Sequence, residues 1–417
     1  MDIYVVDRKE GAHLLLGLQS EVLCATVVSK YEVVVAGHLC ADLIPFFSQE
    51  GTASLCEMVQ PGKLNQVGPL QISTGGVVSN TGVALIKLGA ETKLMGKVGQ
   101  DQLGMAIIDH LRHYSTDVES MVQAGENTSY TIVLSPASTD RVFFHYPGCN
   151  ATFTLDDIDE TIVADARLMH FGYPTLMQAM YEDQGRGFIR LLQAVKEHKV
   201  TISLDLAMPA PDSAALQEDW TLILAQALPY VDVFLPSFEE SLLLLQPGKY
   251  RRYLSLSTAE KEKMIKTLAC ELADQFVQFG ASIVGIKCGV LGYHVQTNPV
   301  IDATKIGKGA PRDPASWSNR KLWCASYKAD KFVSATGAGD CSIAGFLKGL
   351  LSGCNLEQTV NAACAVGAQN VRALDATSGV GTWSETLEMI NEERQRFSIR
   401  LGEAWVYDPQ GKVWVTD

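Results

Sequence analysis

The stretch Ser334-Ala335-Thr336-Gly337-Ala338-Gly339-Asp340 combines small residues, two glycines and a carboxylate where an apolar run begins at Cys341. The glycines let another group approach the backbone closely. The apolar run reads as a buried helix ending near Gly353, so the loop feeds a helix N-terminus with free N–H groups and a positive dipole end. That is an anion cradle. Asp340 falls in the first helical turn, where it can accept a proton from a nucleophile. An anion cradle beside a base suggests phosphoryl transfer to a hydroxyl. A plain strand-to-helix turn capped by Asp340 would leave the same local signature, so the surrounding chain has to decide.

A second glycine loop lies upstream. Gly75-Gly76 opens a helical pattern that carries Asn80 on its first full turn, with Gly82 and Ala84 following and Gly89 at its end. Before it, Glu32 to Gly37 is a β-branched run like a buried parallel strand, and it places Asp42 just past a strand's carboxyl end. Open α/β sheets bind ligands at such ends. Asp205, after Thr201-Ile202-Ser203-Leu204, stands in a similar place. His38, His145 and His170 also lie near strand ends, where hydrogen-bonded structural roles are expected, and Arg141 could reach an anion from a hairpin.

Other chemistries are excluded. There is no Gly-x-x-x-x-Gly-Lys-Ser/Thr phosphate loop, Ser342 stands where a dinucleotide fingerprint wants its third glycine, and the protein-kinase set is missing. The ten cysteines contain no C-x-x-C pair and no zinc spacing, which suits free thiols in a reducing cytoplasm. A formal net charge of −13 argues against a nucleic-acid or anionic-membrane partner. No apolar run approaches the ~20 residues needed to cross a bilayer, and the N-terminus lacks a signal peptide, so a cytoplasmic location is expected.

The elements that must hold these residues alternate as strand and helix, with strands expected near 167–172, 200–205, 231–235 and 282–288, and one strand over 93–99. This pattern implies a mostly parallel sheet with helices on both faces. Residues 43–74 are punctuated by proline and glycine, and 128–150 read as a hairpin around Ser138-Thr139-Asp140. Together these two segments predict an extra β element. Residues 303–330 read as an irregular loop, and Leu356 to Ala373 as a helix packed behind the 334–340 loop. Residues 1–30 carry no readable motif and stand as an N-terminal extension to one domain over 31–417.

With these motifs in order, residues 31–390 resemble the ribokinase-like (PfkB) family of carbohydrate kinases. Gly75-Gly76 to Asn80 is similar to the family's sugar-side motif, and Ala335 to Asp340 to its catalytic motif. Val98 to Gly104 resembles the segment between them, and Lys287-Cys288-Gly289-Val290-Leu291-Gly292 the strand-turn beside the nucleotide. The resemblance implies a three-layer sandwich with a small β lid from 43–74 and 128–150, ATP and Mg²⁺ as cofactors, and a sugar or sugar-like alcohol as acceptor. Asp340 would then be the base. The N–H groups of Gly337, Ala338 and Gly339 would form the anion hole, and Asp42, Gly75, Gly76 and Asn80 would grip the sugar. Lys287, Gly289, Gly292 and Thr336 would contact the nucleotide, and Glu240 would organise the metal.

Two departures stand out. Ser237 replaces the asparagine of the family's Asn-x-x-Glu motif, while Glu240 is kept. Ser334 replaces the aspartate beside its monovalent-cation site, which leaves K⁺ activation open. A nucleoside acceptor, with Phe143 or Phe144 stacking on a base, or a non-catalytic sugar- or nucleotide-binding regulator are the alternatives; a homodimer is also open.

Overall fold

The computed structural model describes residues 29–47, 60–115, 118, 121–134 and 142–416. Most of the N-terminal extension, the 138–140 turn, Arg141 and residues 48–59 of the expected lid lie outside them.

The run 31–37 shows why the main sheet sits between two helical layers. Within strand β1 (Tyr31–Gly37), Val33 and Val35 face one hydrophobic core, while Val34 and Ala36 face the other. Side chains alternate along a strand, so a β-branched run without polar interruptions must be covered on both faces. One cover is built from the helices Val77–Lys87, Ala338–Leu351 and Leu356–Asn370. The other comes mainly from Gln178–Glu197, Trp220–Ala227 and Thr258–Phe279.

Beside β1 the main sheet takes β4 (Thr92–Met95) on one side and β9 (Ala166–Gly172), β10 (Thr201–Asp205), β11 (Val233–Phe234) and β12 (Ile283–Lys287) on the other, all parallel. The alternation of strands and helices thus gives the expected parallel sheet. Beyond β12 the sheet continues antiparallel through β13 (Tyr293–Thr297), β14 (Lys321–Cys324), β16 (Val413–Thr416) and β15 (Val406–Asp408).

A second sheet holds β2 (Cys40–Pro45), β3 (Leu70–Gly75), β7 (Tyr130–Leu134) and β8 (Val142–Tyr146), in the order β3-β2-β7-β8. It falls on the two segments from which a separate β element was expected. Two further strands, β5 (Lys97–Gly99) and β6 (Val122–Ala124), pair with each other.

Three local expectations are corrected. The single strand over 93–99 is two, because the chain leaves the main sheet at Gly96 after β4 and joins β6 through β5. Gly96 packs so tightly on Leu39 that an added Cβ would lie 3.1 Å from its Cδ2. Asp42 does lie past the carboxyl end of β1, but inside a further strand, β2, opposite Ser73 and Thr131. The stretch 303–330 is not irregular throughout, since it holds two one-turn helices, Ala303–Ile306 and Pro314–Trp317, and strand β14. Its buried Trp317 and Trp323 pull it onto the core. No helix among the described residues is long and apolar enough to cross a membrane.

Candidate active site

Two glycine-led helices converge on one carboxylate. Gly76 precedes the Val77–Lys87 helix at φ 88°, and Gly337 precedes the Ala338–Leu351 helix at φ 69°. A side chain at Gly337 would collide with Ala376, so both its conformation and its surroundings require glycine. Neither helix start has a side-chain cap; at the first, the Val78 N–H donates to the His38 carbonyl at 3.3 Å. Asn80 on the first helix donates from Nδ2 to Asp340 Oδ2 on the second at 3.0 Å. Both residues are buried, and Asn80 Oδ1 has no partner. An unsatisfied buried acceptor is costly, so this atom is suited to a donor that arrives with a ligand.

The 334–340 loop is pinned from behind. Asn370, closing the helix Leu356–Asn370, donates from Nδ2 to the Thr336 carbonyl at 2.7 Å. Ser334 Oγ accepts from the Thr336 N–H at 3.1 Å, and the Ala338 N–H donates to the Ala335 carbonyl at 3.2 Å. The Ala338 amide is thereby engaged within the turn. Gly339 remains at the open side of the loop, where an added Cβ would meet nothing closer than the Lys287 side chain at 3.8 Å.

Lys287, at the end of β12, donates from Nζ to Asp205 Oδ1 at 2.6 Å. Burial opposes its charge, but Asp205 and Glu240 together outweigh burial and raise the ammonium above its ordinary value. Two carboxylates surround one cation here, and burial raises Glu240. Glu240 Oε2 also accepts from the Ser237 N–H at 2.7 Å, while Ser237 Oγ accepts from the Glu240 N–H at 3.2 Å. This reciprocal capping box explains locally how serine can stand at 237. Among the described residues no cluster of three His, Cys, Asp or Glu could enclose a metal. Burial also raises Asp205, against the charge of Lys287, and Glu240 with Asp205 are the carboxylates that would hold a hydrated divalent ion shared with phosphates.

Two cavities open beside this centre. One, of about 390 Å³, is lined by Lys287, Gly289, Gly292, Ala338, Gly339 and the face of the Leu356–Asn370 helix at Cys364, Gly367 and Ala368. The other, of about 280 Å³, is lined by Asp42, Ser73, Thr74, Phe143, Ser334 and Thr336. Phe332 and Ala335 border both. Thr336 therefore sits on the Asp42 side rather than with Lys287 and Gly289. Phe143 lines the Asp42 cavity and its neighbour Phe144 does not, as strand alternation requires.

Asp42 is pushed up to about 6 by burial, against hydrogen bonds from Cys40 and Thr131 that favour its charge. It lies so close to Gly75 that an added Cβ there would approach Oδ2 to 2.6 Å. Gly75 and Gly76 thus make room for Asp42 and His38. The expected hydrogen-bonded histidine role holds for His170, whose Nδ1 faces Ser203 Oγ at 3.0 Å, and for His145, whose Nδ1 faces Thr131 Oγ1 at 3.0 Å. It fails for His38, whose buried ring nitrogens have no partner. Burial, followed by His145, keeps His38 neutral.

One contact escaped the motifs. Tyr173 donates from its hydroxyl to Asp340 Oδ1 at 2.6 Å. Only the left-handed backbone at Tyr173, between Gly172 and Pro174, could have drawn attention to it, and that is not written in residue type.

The family model described as pfkB family carbohydrate kinase matches residues 30–383. The chain is 24% identical over 341 residues to a 2-dehydro-3-deoxygluconokinase of Bacillus subtilis, covering 80% of this chain and 91% of that one. The structure of Arabidopsis thaliana ribokinase complexed with ribose and ATP superposes with a TM-score of 0.63 at 18% identity, covering 87% of this chain and 99% of that one. A protein described as ribokinase II of E. coli, in complex with ATP and Mg²⁺, gives 0.62 at 19% identity, covering 86% and 99%. These superpositions establish a ribokinase-like fold.

Proposed function

The chain belongs to the pfkB family of carbohydrate kinases, and from that membership we propose ATP-dependent phosphorylation of a hydroxyl on a neutral sugar or sugar-like alcohol, with Asp340 as base. The observation that carries this reading is the buried Asp340 carboxylate, held by Asn80 at 3.0 Å where two glycine-led helices meet. A binding protein without chemistry has no need of a base at that point.

The nucleotide occupies the 390 Å³ cavity, with Gly289 and Gly292 along its wall and its terminal phosphate toward Gly339 and Lys287. Asp42 and Asn80 bind acceptor hydroxyls, and Asp340 takes the proton from the one that attacks. The backbone N–H groups of Gly337 and Gly339, with the dipole of the Ala338 helix, stabilise charge on the transferred group. When Mg²⁺ is bound through Glu240 and Asp205, it supplies neutralisation of the nucleotide phosphates. The four-stranded sheet carrying Asp42 acts as a lid, excluding water that would otherwise compete as acceptor.

An uncharged acceptor is favoured because the described lining of the Asp42 cavity carries Asp42 and Asp375 and neither lysine nor arginine. A sugar acid would set its carboxylate against those charges. The test is ADP release with ATP and Mg²⁺ across neutral sugars, polyols, sugar acids and nucleosides. Acceptor-dependent release with a neutral sugar or polyol is expected. Release only with sugar acids or nucleosides overturns the acceptor class, and none with any acceptor overturns the enzyme.

A further inference from the structure

We infer that Tyr173 is a positioning residue that sets the carboxylate of Asp340 for proton abstraction; the inference rests on Asp340 being the base. Each carboxylate oxygen has its own donor: Tyr173 Oη–H reaches Oδ1 at 2.6 Å, and Asn80 Nδ2 reaches Oδ2 at 3.0 Å. The two donors come from separate elements, the end of β9 and the Val77–Lys87 helix. Rotation of the carboxylate is therefore resisted at both oxygens. Each oxygen keeps a second lone pair for an incoming hydroxyl.

The direction of the Tyr173 bond is fixed by chemistry. Burial, and next the charge of Asp340, push the phenol well above its ordinary pKa, so it keeps its proton and donates. A charge-assisted O–H···O⁻ bond of this length is among the stronger hydrogen bonds a side chain makes.

The backbone gives an independent reason to assign Tyr173 a functional role. It stands at φ 67°, ψ 39°, between Gly172 and Pro174. A bulky residue in the left-handed region is an outlier, and such conformations persist where surrounding contacts over-determine them. Here the Tyr173 N–H donates to the Asp205 carbonyl at 3.2 Å, and its ring lies 5.9 Å from that of His38. The Asp205 side chain meanwhile holds Lys287. One strained corner thus ties the base to the lysine across the ends of β9 and β10. A packing role alone would be served by phenylalanine without this conformation being tied to Asp340.

The experiment compares Tyr173→Phe, Asp340→Asn and the double variant with the wild type, using the acceptor found by the panel. Tyr173→Phe removes one oxygen and keeps the ring. Its kcat should fall about tenfold or more, with KM for ATP within about twofold. Losing a donor to the charged carboxylate should move the acid limb of its kcat/KM profile upward by about half a pH unit or more. Adding Tyr173→Phe to Asp340→Asn should cost nothing further, because the two residues act as a unit.

Tyr173→Asn, which tolerates a left-handed backbone, should show the same loss of kcat and covers the case in which Tyr173→Phe fails to fold. An inactive Asp340→Asn together with a Tyr173→Phe of wild-type kcat and unmoved acid limb overturns the inference and leaves the base assignment standing. An active Asp340→Asn overturns the base assignment itself.

Discussion

The two glycine-led helices that meet at Asn80 and Asp340 look alike in sequence and differ in what their glycines make room for. At Gly75 and Gly76 the space is already filled by the protein, by the Asp42 carboxylate and the His38 ring. At Gly339 the nearest atoms to an added Cβ belong to the far end of Lys287, and beyond them is a cavity. The first loop is a mould for Asp42 and His38; the second leaves open space beside Lys287. The same residue type thus serves packing on one side and approach on the other.

The comparison can be broken most directly at Asp340, because both helices are arranged around it. Asp340→Asn should lower kcat by about 10³–10⁴-fold while leaving the melting temperature nearly unchanged, measured by ADP release and thermal unfolding. A variant that keeps a tenth of wild-type activity would return Asp340 to the role of a helix cap.

Lys287→Met tests the cradle side. It removes the cation that pairs with Asp205 at 2.6 Å and leaves that buried carboxylate without its partner. We expect about a hundredfold loss of kcat/KM for ATP, and a destabilisation of about 3–5 kcal/mol in urea unfolding. Unchanged affinity for ATP would place the phosphates elsewhere.

The glycines themselves sharpen the contrast. Gly339→Ala should fold with a wild-type melting temperature and lose about tenfold in kcat, since its methyl enters ligand space. Gly75→Ala should instead lose about 1–3 kcal/mol of stability, because its methyl meets Asp42, and should raise the acceptor KM. Equal losses of stability in the two would show that both loops are packed alike.

The smallest effect is a pH dependence. Asp42 sits at about 6 in the folded protein, raised by burial, against an ordinary value near 4. The acceptor KM should therefore rise as pH falls through about 6, while the KM for ATP stays flat. The stability sign is opposite. A raised carboxylate favours the folded state below the unfolded pKa, and that contribution is lost as pH rises through about 4 to 6. Asp42→Asn should accordingly stabilise the free protein above pH 6 by on the order of 1 kcal/mol while weakening acceptor binding. Urea unfolding at pH 5 and pH 7.5 checks the sign.

Much of this was readable along the chain wherever the signal is local. The β-branched run at Val33 to Ala36, the glycine pair at Gly75-Gly76 and the Gly337-Ala338-Gly339-Asp340 loop each state their geometry in a few consecutive residues. The boundaries that were missed depend on distant partners. Nothing within residues 93–99 says that Val98 will pair with Gln123 and leave the main sheet. Nothing near Asp42 says that it will face Ser73 and Thr131 from inside a strand.

The sequence by itself determined the alternation of strands and helices, the two glycine-led helix starts and the Asp340 carboxylate in the first turn of the second, because propensity and glycine chemistry act over a few bonds. Only the tertiary structure decided which residues meet. It brought Asn80 and Tyr173 to opposite oxygens of Asp340, 260 and 167 residues away in the chain, and closed Asp205 on Lys287 across 82 residues. The Asp205–Lys287 pairing follows from the register of β10, β11 and β12 and the Asn80–Asp340 pairing from the packing of two helices on one face of the sheet, and neither has a signature in neighbouring residue types.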